Sequence, residues 1–266
     1  MTNLLARRQF APIYIWLDIA FLLMFATLLI LKKKYMTVVV GLAAGVLYMI
    51  VDYGIFHLLT HSRSIYNGYS LFWVLLWMSM SYGFTNFTWI WLWMQKDKNL
   101  VSWSVMILLW WFVAPFLARL FSGDALPVII ERTTGKYHGI MVVILFAGYL
   151  TIIIYNLMQK DATKRVNILW LLAIGILVQF GWESALLAGG IRSAGLEGID
   201  KLLPLVVNSA LETNLGMPLI YPLFILYSSH FTETFARKNP VRSFTDRIAE
   251  NNAERVRQKN DASPFL

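Results

Sequence analysis

The stretch VNILWLLAIGILVQFGWESALLAGGI (residues 166–191) carries one charged residue, Glu183, in an otherwise apolar run. Uncharged runs of about 20 residues are what cross a hydrocarbon layer about 30 Å thick. Six more runs of this kind can be read, at roughly 11–31, 36–60, 69–94, 100–121, 138–158 and 203–229. The composition agrees, with 58% hydrophobic and 14% charged residues, against about 25% charged in a soluble domain. The expectation is an all-α polytopic membrane bundle of seven transmembrane helices within residues 1–231, followed by a basic cytoplasmic tail, 232–266.

Arg7 and Arg8 ahead of an apolar stretch mimic a signal peptide, but the stretch runs on to Lys32-Lys33-Lys34 without a small-residue cleavage site, so a retained helix is read. Lys and Arg split unevenly between the two ends of the bundle. One end holds 8, namely Arg7, Arg8, Arg63, Arg119, Arg132, Lys136, Arg192 and Lys201, and the other holds the remaining 15 of the 23. Cytoplasmic loops carry the excess, which predicts the N-terminus outside and the C-terminus in the cytoplasm of a cell membrane. The net charge of +8 then reads as topology and contact with anionic lipid, with no nucleic acid as partner. The chain has no cysteine, which excludes disulfides and thiol chemistry.

The loops are short, so one membrane domain is expected. Residues 122–137, the longest outer connection, could serve as a partial lid. In the tail, Ser243 and Asp246 resemble a helix start, and Phe244, Ile248 and Val256 form a thin apolar stripe. A short helix on the lipid surface and a disordered tail are both open. A shift of about 128 residues lays helices one to three on helices five to seven. Lys32 meets Lys160, Arg63-Ser64 meets Arg192-Ser193, Thr85-Asn86 meets Thr213-Asn214, and Asp52 meets Glu183 with a small slip. That is the pattern of a parallel repeat, three helices on either side of a lone fourth.

Charged side chains inside a bilayer cost about 2.5–3.5 kcal/mol or more at its centre, and four carboxylates stand within these runs: Asp18, Asp52, Glu183 and Glu212. At about 1.5 Å of rise per residue, all four lie roughly 10–14 Å below the outer surface. Gln179 precedes Glu183 by four residues and Asn208 precedes Glu212 by four, so each pair shares a helix side. His57 and His61, then Arg119 and His138, stand above them as a funnel open outward. Carboxylates crowded into a low dielectric cannot all be charged. At least one is expected to keep a proton, as a proton donor or a proton-coupled carrier requires. Asp18 has no polar companion on its helix and reads as structural.

His57 and His61 at i,i+4 could share a zinc ion, but a third ligand would have to come from His138 or Asp52, and His230 lies at the opposite end. No metal and no cofactor is expected. Trp89, Trp91 and Trp93 fit an interfacial belt, and Trp110 and Trp111 a lipid-facing or packing role. Pro218 and Pro222 are expected to bend helix seven below Glu212.

The segment Gln179-Phe180-Gly181-Trp182-Glu183 resembles the Trp-Glu helix of the membrane-embedded terpene cyclases, and the fused lycopene cyclases are similar in their three-plus-one-plus-three layout. Here the Trp-Glu pair is on helix six rather than two, with Asp52 on helix two and Glu212 on helix seven. The resemblance implies proton-initiated chemistry on an isoprenoid. Glu183 would be the donor, Asp52 or Glu212 its partner or base, and Trp182 a stabiliser of cationic intermediates. The substrate-binding set is then Trp182, Gln179, Asn208, Asn214, Asn86, His57 and Arg119, and the partners are membrane lipid and a hydrophobic or amphipathic small molecule. Two other functions fit the same chain: a small proton-coupled carrier of the sugar-facilitator type using Asn86 and Asn214, and a non-catalytic receptor or partner subunit.

Overall fold

In the computed structural model, residues 7–132, 137–192, 196–236 and 243–261 are described. Eight α-helices dominate: α1 Ile13–Leu31, α2 Tyr35–Met49, α3 Leu71–Met94, α4 Leu100–Leu120, α5 His138–Met158, α6 Ile168–Ala188, α7 Leu203–Ala236 and α8 Phe244–Asp261. Beyond Met49, α2 continues as a π-helix, Ile50–Leu59. The chain is all-α in class. Five of its helical segments are long and apolar enough to cross a membrane, at Ile13–Leu31, Tyr35–Leu59, Leu100–Leu120, His138–Met158 and Ala162–Ala188. These are compatible with an integral membrane protein, as is the outer face of α5, where Val143, Phe146 and Leu157 stand exposed.

The hub is α3, buried along most of its length and in contact with α1, α2, α4, α6 and α7. Its closest neighbour is α2. A Cβ built on Gly83 would lie 2.5 Å from the Gly45 Cα, so the two backbones touch because neither residue has a side chain there. Trp89 and Trp91, expected in an interfacial belt, are 4% and 3% exposed. Trp89 donates its Nε1–H to Ser104 Oγ at 2.8 Å and meets Trp111 edge to face. This end of α3 is enclosed by neighbouring helices, so the Trp89 and Trp91 rings are core, while Trp93 is partly buried.

The sequence reading missed a small antiparallel sheet. Strands β1 Arg7–Phe10, β2 Arg63–Ile65 and β3 Val128–Arg132 pair in the order β1-β3-β2. The stretch read as a lid therefore supplies the central strand, its residues 133–136 lying outside the described ones. The sheet sits where α1 begins, α2 ends and α5 begins, and Gln9 N–H donates to Ile191 O just past α6. On its outer face Glu131 accepts from Arg7 Nε at 2.5 Å and from Tyr66 Oη at 2.9 Å. The inner face presents Arg8 and Phe10 of β1 and Arg63 of β2, all buried.

At the other end α8 docks on protein rather than lying free on lipid. Ile248 is fully buried, Phe244 packs on Tyr155, and Asn252 Nδ2 donates to the carbonyls of Thr163 and Arg165 at 2.8 and 3.0 Å. Val256, the third residue of the expected stripe, is exposed.

Candidate functional site

Register across the small sheet places Arg63 of β2 directly opposite Arg132 of β3. Two like charges facing each other on paired strands repel, and Asp52 answers both. Its Oδ1 accepts from Arg63 Nε at 3.0 Å and Nη2 at 2.8 Å. Arg132 Nη2 reaches Oδ1 at 2.9 Å and Oδ2 at 2.7 Å. The π-helical stretch of α2 carries Asp52 beneath the strands. Such wide turns are rare and recur at functional positions. With two guanidinium groups on one carboxylate, Asp52 is the closed half of the site.

The second half has the opposite ratio. On α6, Glu183 accepts from Arg192 Nε at 2.8 Å and Nη2 at 2.6 Å, a bidentate pair of the strong, geometrically specific kind. Asn208 Nδ2 adds a 3.3 Å contact. Glu212 on α7 lies 3.8 Å from Arg192 Nη2, and its side chain is 26% exposed. The residue tying these together is Gln179. Its Nε2 donates to Glu212 Oε2 at 2.9 Å and Glu183 Oε1 at 3.3 Å. Its Oε1 accepts from Tyr82 Oη at 2.6 Å and Thr213 Oγ1 at 2.7 Å. The two carboxylates set the orientation of the amide, because only its nitrogen can donate to them, and its oxygen is then left to accept from the two hydroxyls.

A fourth guanidinium, Arg8, hangs from β1 within electrostatic reach of Arg192, Arg132, Glu183 and Glu212. It is 5% exposed and makes no side-chain hydrogen bond or ion pair among the described residues. Burial pushes its pKa below the ordinary arginine value, and Arg192 and Arg132 push it the same way. Arg132 shows the contrast. Burial works against its charge too and is the largest single influence, but Asp52, by charge and hydrogen bond, and Glu212 together outweigh burial and raise its pKa.

Of the residues expected at the site, Glu183, Glu212, Gln179 and Asn208 come together as one network. Asp52 joins through the electrostatic reach of Arg132 and Arg63 to Glu212. Trp182 lies beside it, edge to face with Tyr82 and Trp111. Asn214 is bound to Tyr149 Oη at 3.3 Å, and its Oδ1 occupies the space a Cβ on Gly175 would need. Asn86 is fully buried with neither amide atom hydrogen-bonded. Arg119 is not over the carboxylates: its Nη2 donates to Gly189 O at 2.9 Å, capping the end of α6. His57 packs against Tyr53 with the rings tilted, while His61 has left the helix at φ 49°, so the two do not share a helix face. No group of three His, Asp or Glu among the described residues could hold a metal. Asp18 accepts from Trp77 Nε1 at 2.8 Å and from Ser81 and makes no ion pair among the described residues.

Sequence reasoning missed Arg8, Arg63, Arg132 and Arg192, taking them for surface topology markers, and missed Tyr82 and Thr213. A signal was present: Arg63 and Arg192 each follow an intramembrane acid at the end of its own helix. A cavity of about 370 Å³ opens beside β1, lined by Gln9, Phe10, Tyr14, Pro115, Arg119 and Gly189 among others. A narrower cleft next to it contains Arg8, Tyr14, Trp77, Ser81 and Trp182. Comparison with protein-family models, curated proteins and solved structures finds no match to this chain.

Proposed function

We propose that the chain is an integral membrane protein of seven spans that binds an isoprenoid or other amphipathic lipid at the Gln179 network and performs acid–base chemistry on it, with Glu212 carrying the proton. The observation that carries this reading is the unequal treatment of three clustered carboxylates. Asp52 and Glu183 are tied to guanidinium groups at 2.6–3.0 Å. Glu212 has a neutral amide as its near partner and is the only one of the three with appreciable exposure. A general acid or base needs access to its substrate and freedom to change charge. Glu183, read from sequence as the donor, is better suited to fix the network, while Trp182 supplies an aromatic face.

Two further observations support the membrane arrangement. The α3 and α7 helices, 24 and 34 residues long, are also long enough to span, although more polar. Four of the eight cations counted at the sheet end turn inward, which steepens the bias toward a cytoplasmic α8 end.

The test is deuterium transfer. Membranes containing the protein are held in D2O, and the lipid fraction is read by mass spectrometry for a species that gains deuterium. The proposal expects such a species with wild type and Glu183→Gln, slower in the latter, and none with Glu212→Gln. Equal labelling in Glu212→Gln and wild type would sink it.

A carrier built on a three-plus-one-plus-three repeat is the second reading. It is favoured by one feature: each half places an acid on its second helix that is met by an arginine a few residues past the end of that helix, Asp52 by Arg63 and Glu183 by Arg192. Proton-linked uptake into liposomes would distinguish it.

A further inference from the structure

We propose that Arg8 is the anchor of an anion site that holds the phosphate head of an amphipathic ligand, with its chain lying in the larger cavity beside β1. The inference rests on the lipid-site reading above and names the class of molecule that the site would take.

Strand β1 alternates, so Arg7 and Gln9 face outward while Arg8 and Phe10 face into the bundle. No described residue on the inside receives the Arg8 side chain by hydrogen bond or ion pair. Its Nε is buried without a hydrogen-bond partner, although burying an unpaired charge is costly. The other three buried arginines account for the carboxylates: Arg63 and Arg132 take Asp52, and Arg192 takes Glu183 and lies nearest Glu212. Around Arg8 the cluster therefore counts four guanidinium groups against three carboxylates. Asp18 does not redress the balance, being held by Trp77 and Ser81 without an ion pair to Arg8.

A surplus buried cation with free N–H groups is what an oxyanion fits, and guanidinium matches phosphate geometry closely. The cleft below Arg8 is walled by Tyr14, Trp77, Met78, Trp182 and Leu186. At about 10 Å³ it has room for little more than a water-sized group, too little for a chain. Phe10, Tyr14 and Ile191 line both this cleft and the 370 Å³ cavity, so a chain lying in the cavity against Phe10, Ala11, Tyr14, Pro115 and Ile191 brings its head group to the mouth of the cleft that holds Arg8.

Binding is tested on the purified full chain in neutral detergent by thermal shift and titration calorimetry, using dodecyl phosphate, inorganic phosphate and dodecyl maltoside alone. Variants are Arg8→Met, which keeps the length and removes the charge, Arg8→Lys, and Glu212→Gln. The expected result is saturable stabilisation of wild type by dodecyl phosphate, at least tenfold weaker in Arg8→Met and partly restored in Arg8→Lys. Glu212→Gln, which removes a negative charge within reach of Arg8, should bind dodecyl phosphate at least as tightly as wild type while abolishing deuterium labelling, which separates this site from the proposed chemistry. Without ligand, Arg8→Met should melt no lower than wild type, since the charge it removes has no partner; a purely structural arginine would give a lower Tm. A response to dodecyl phosphate but not to inorganic phosphate identifies a lipid head, and an equal response to both identifies a phosphate taken from solution. Either supports an anion site at Arg8. Equal affinity in wild type and Arg8→Met, or no binding of either phosphate, overturns it.

Discussion

Asp52 on the π-helical end of α2 and Glu183 on α6, the two acids that the repeat read from the sequence sets against each other, are treated differently. Asp52 receives two arginines from two strands, while Glu183 shares one arginine and one glutamine with a second acid, Glu212. The first half is a closed knot that fastens the sheet to the bundle. The second has more carboxylate than cation at close range, and its surplus member is the one facing open space. One half is thus tied down by two guanidinium groups, while the other leaves a carboxylate side chain 26% exposed.

That contrast breaks most visibly if the knot is cut. Asp52→Ala leaves Arg63 and Arg132 facing each other across paired strands, and removing one side of a buried ion pair costs about 3–5 kcal/mol. Thermal unfolding in detergent should show the largest loss of the series, and a Tm within two degrees of wild type would mean the arginines find other partners. Cutting the second half through Gln179→Leu deprives two hydroxyls and two carboxylates of their bridge. Each unsatisfied buried group costs roughly 1–3 kcal/mol, but Arg192 still holds Glu183, Tyr82 and Thr213 still meet at 3.4 Å and Glu212 reaches solvent, so the total should stay below that of Asp52→Ala; the reverse order would invert the assignment of closed and open halves. Smaller again is Gly83→Ala, which drives a methyl group into α2 and should cost about 1–3 kcal/mol by overpacking, measured in the same melts. Asn252→Ala, at the far end, removes two hydrogen bonds from α8. It should cost about 1 kcal/mol and leave dodecyl phosphate binding unchanged, because nothing in α8 touches the sheet-end site.

How much of this was legible beforehand follows the same division. Helical spans follow from apolar length, and the boundaries read for 166–191 fall within a few residues of α6 at Ile168–Ala188. The gathering of Gln179, Glu183, Asn208 and Glu212 follows from i,i+4 spacing on two helices that happen to be neighbours. The sheet was not legible. Its strands are three to five residues long, too short for alternation to stand out, and β1 spends half its residues on charge. The arginines were misread for a related reason. Counting charges by loop treats every one as surface, whereas the alternation of β1 and the register of β2 with β3 turn Arg8, Arg63 and Arg132 inward. Arg119 shows the opposite error: proximity in depth suggested the carboxylates, but the carbonyl of Gly189 lay closer.

The central claim is that Glu212, alone among the clustered acids, is free to exchange its proton with a bound ligand. The most direct measurement compares deuterium incorporation into bound lipid for Asp52→Asn, Glu183→Gln and Glu212→Gln, each with its Tm recorded alongside. The account predicts that Glu212→Gln abolishes incorporation while moving the Tm least, and that the other two lower the Tm while retaining some incorporation. Loss of incorporation in Glu183→Gln with full activity in Glu212→Gln would contradict it and return the proton to the arginine-bound acid.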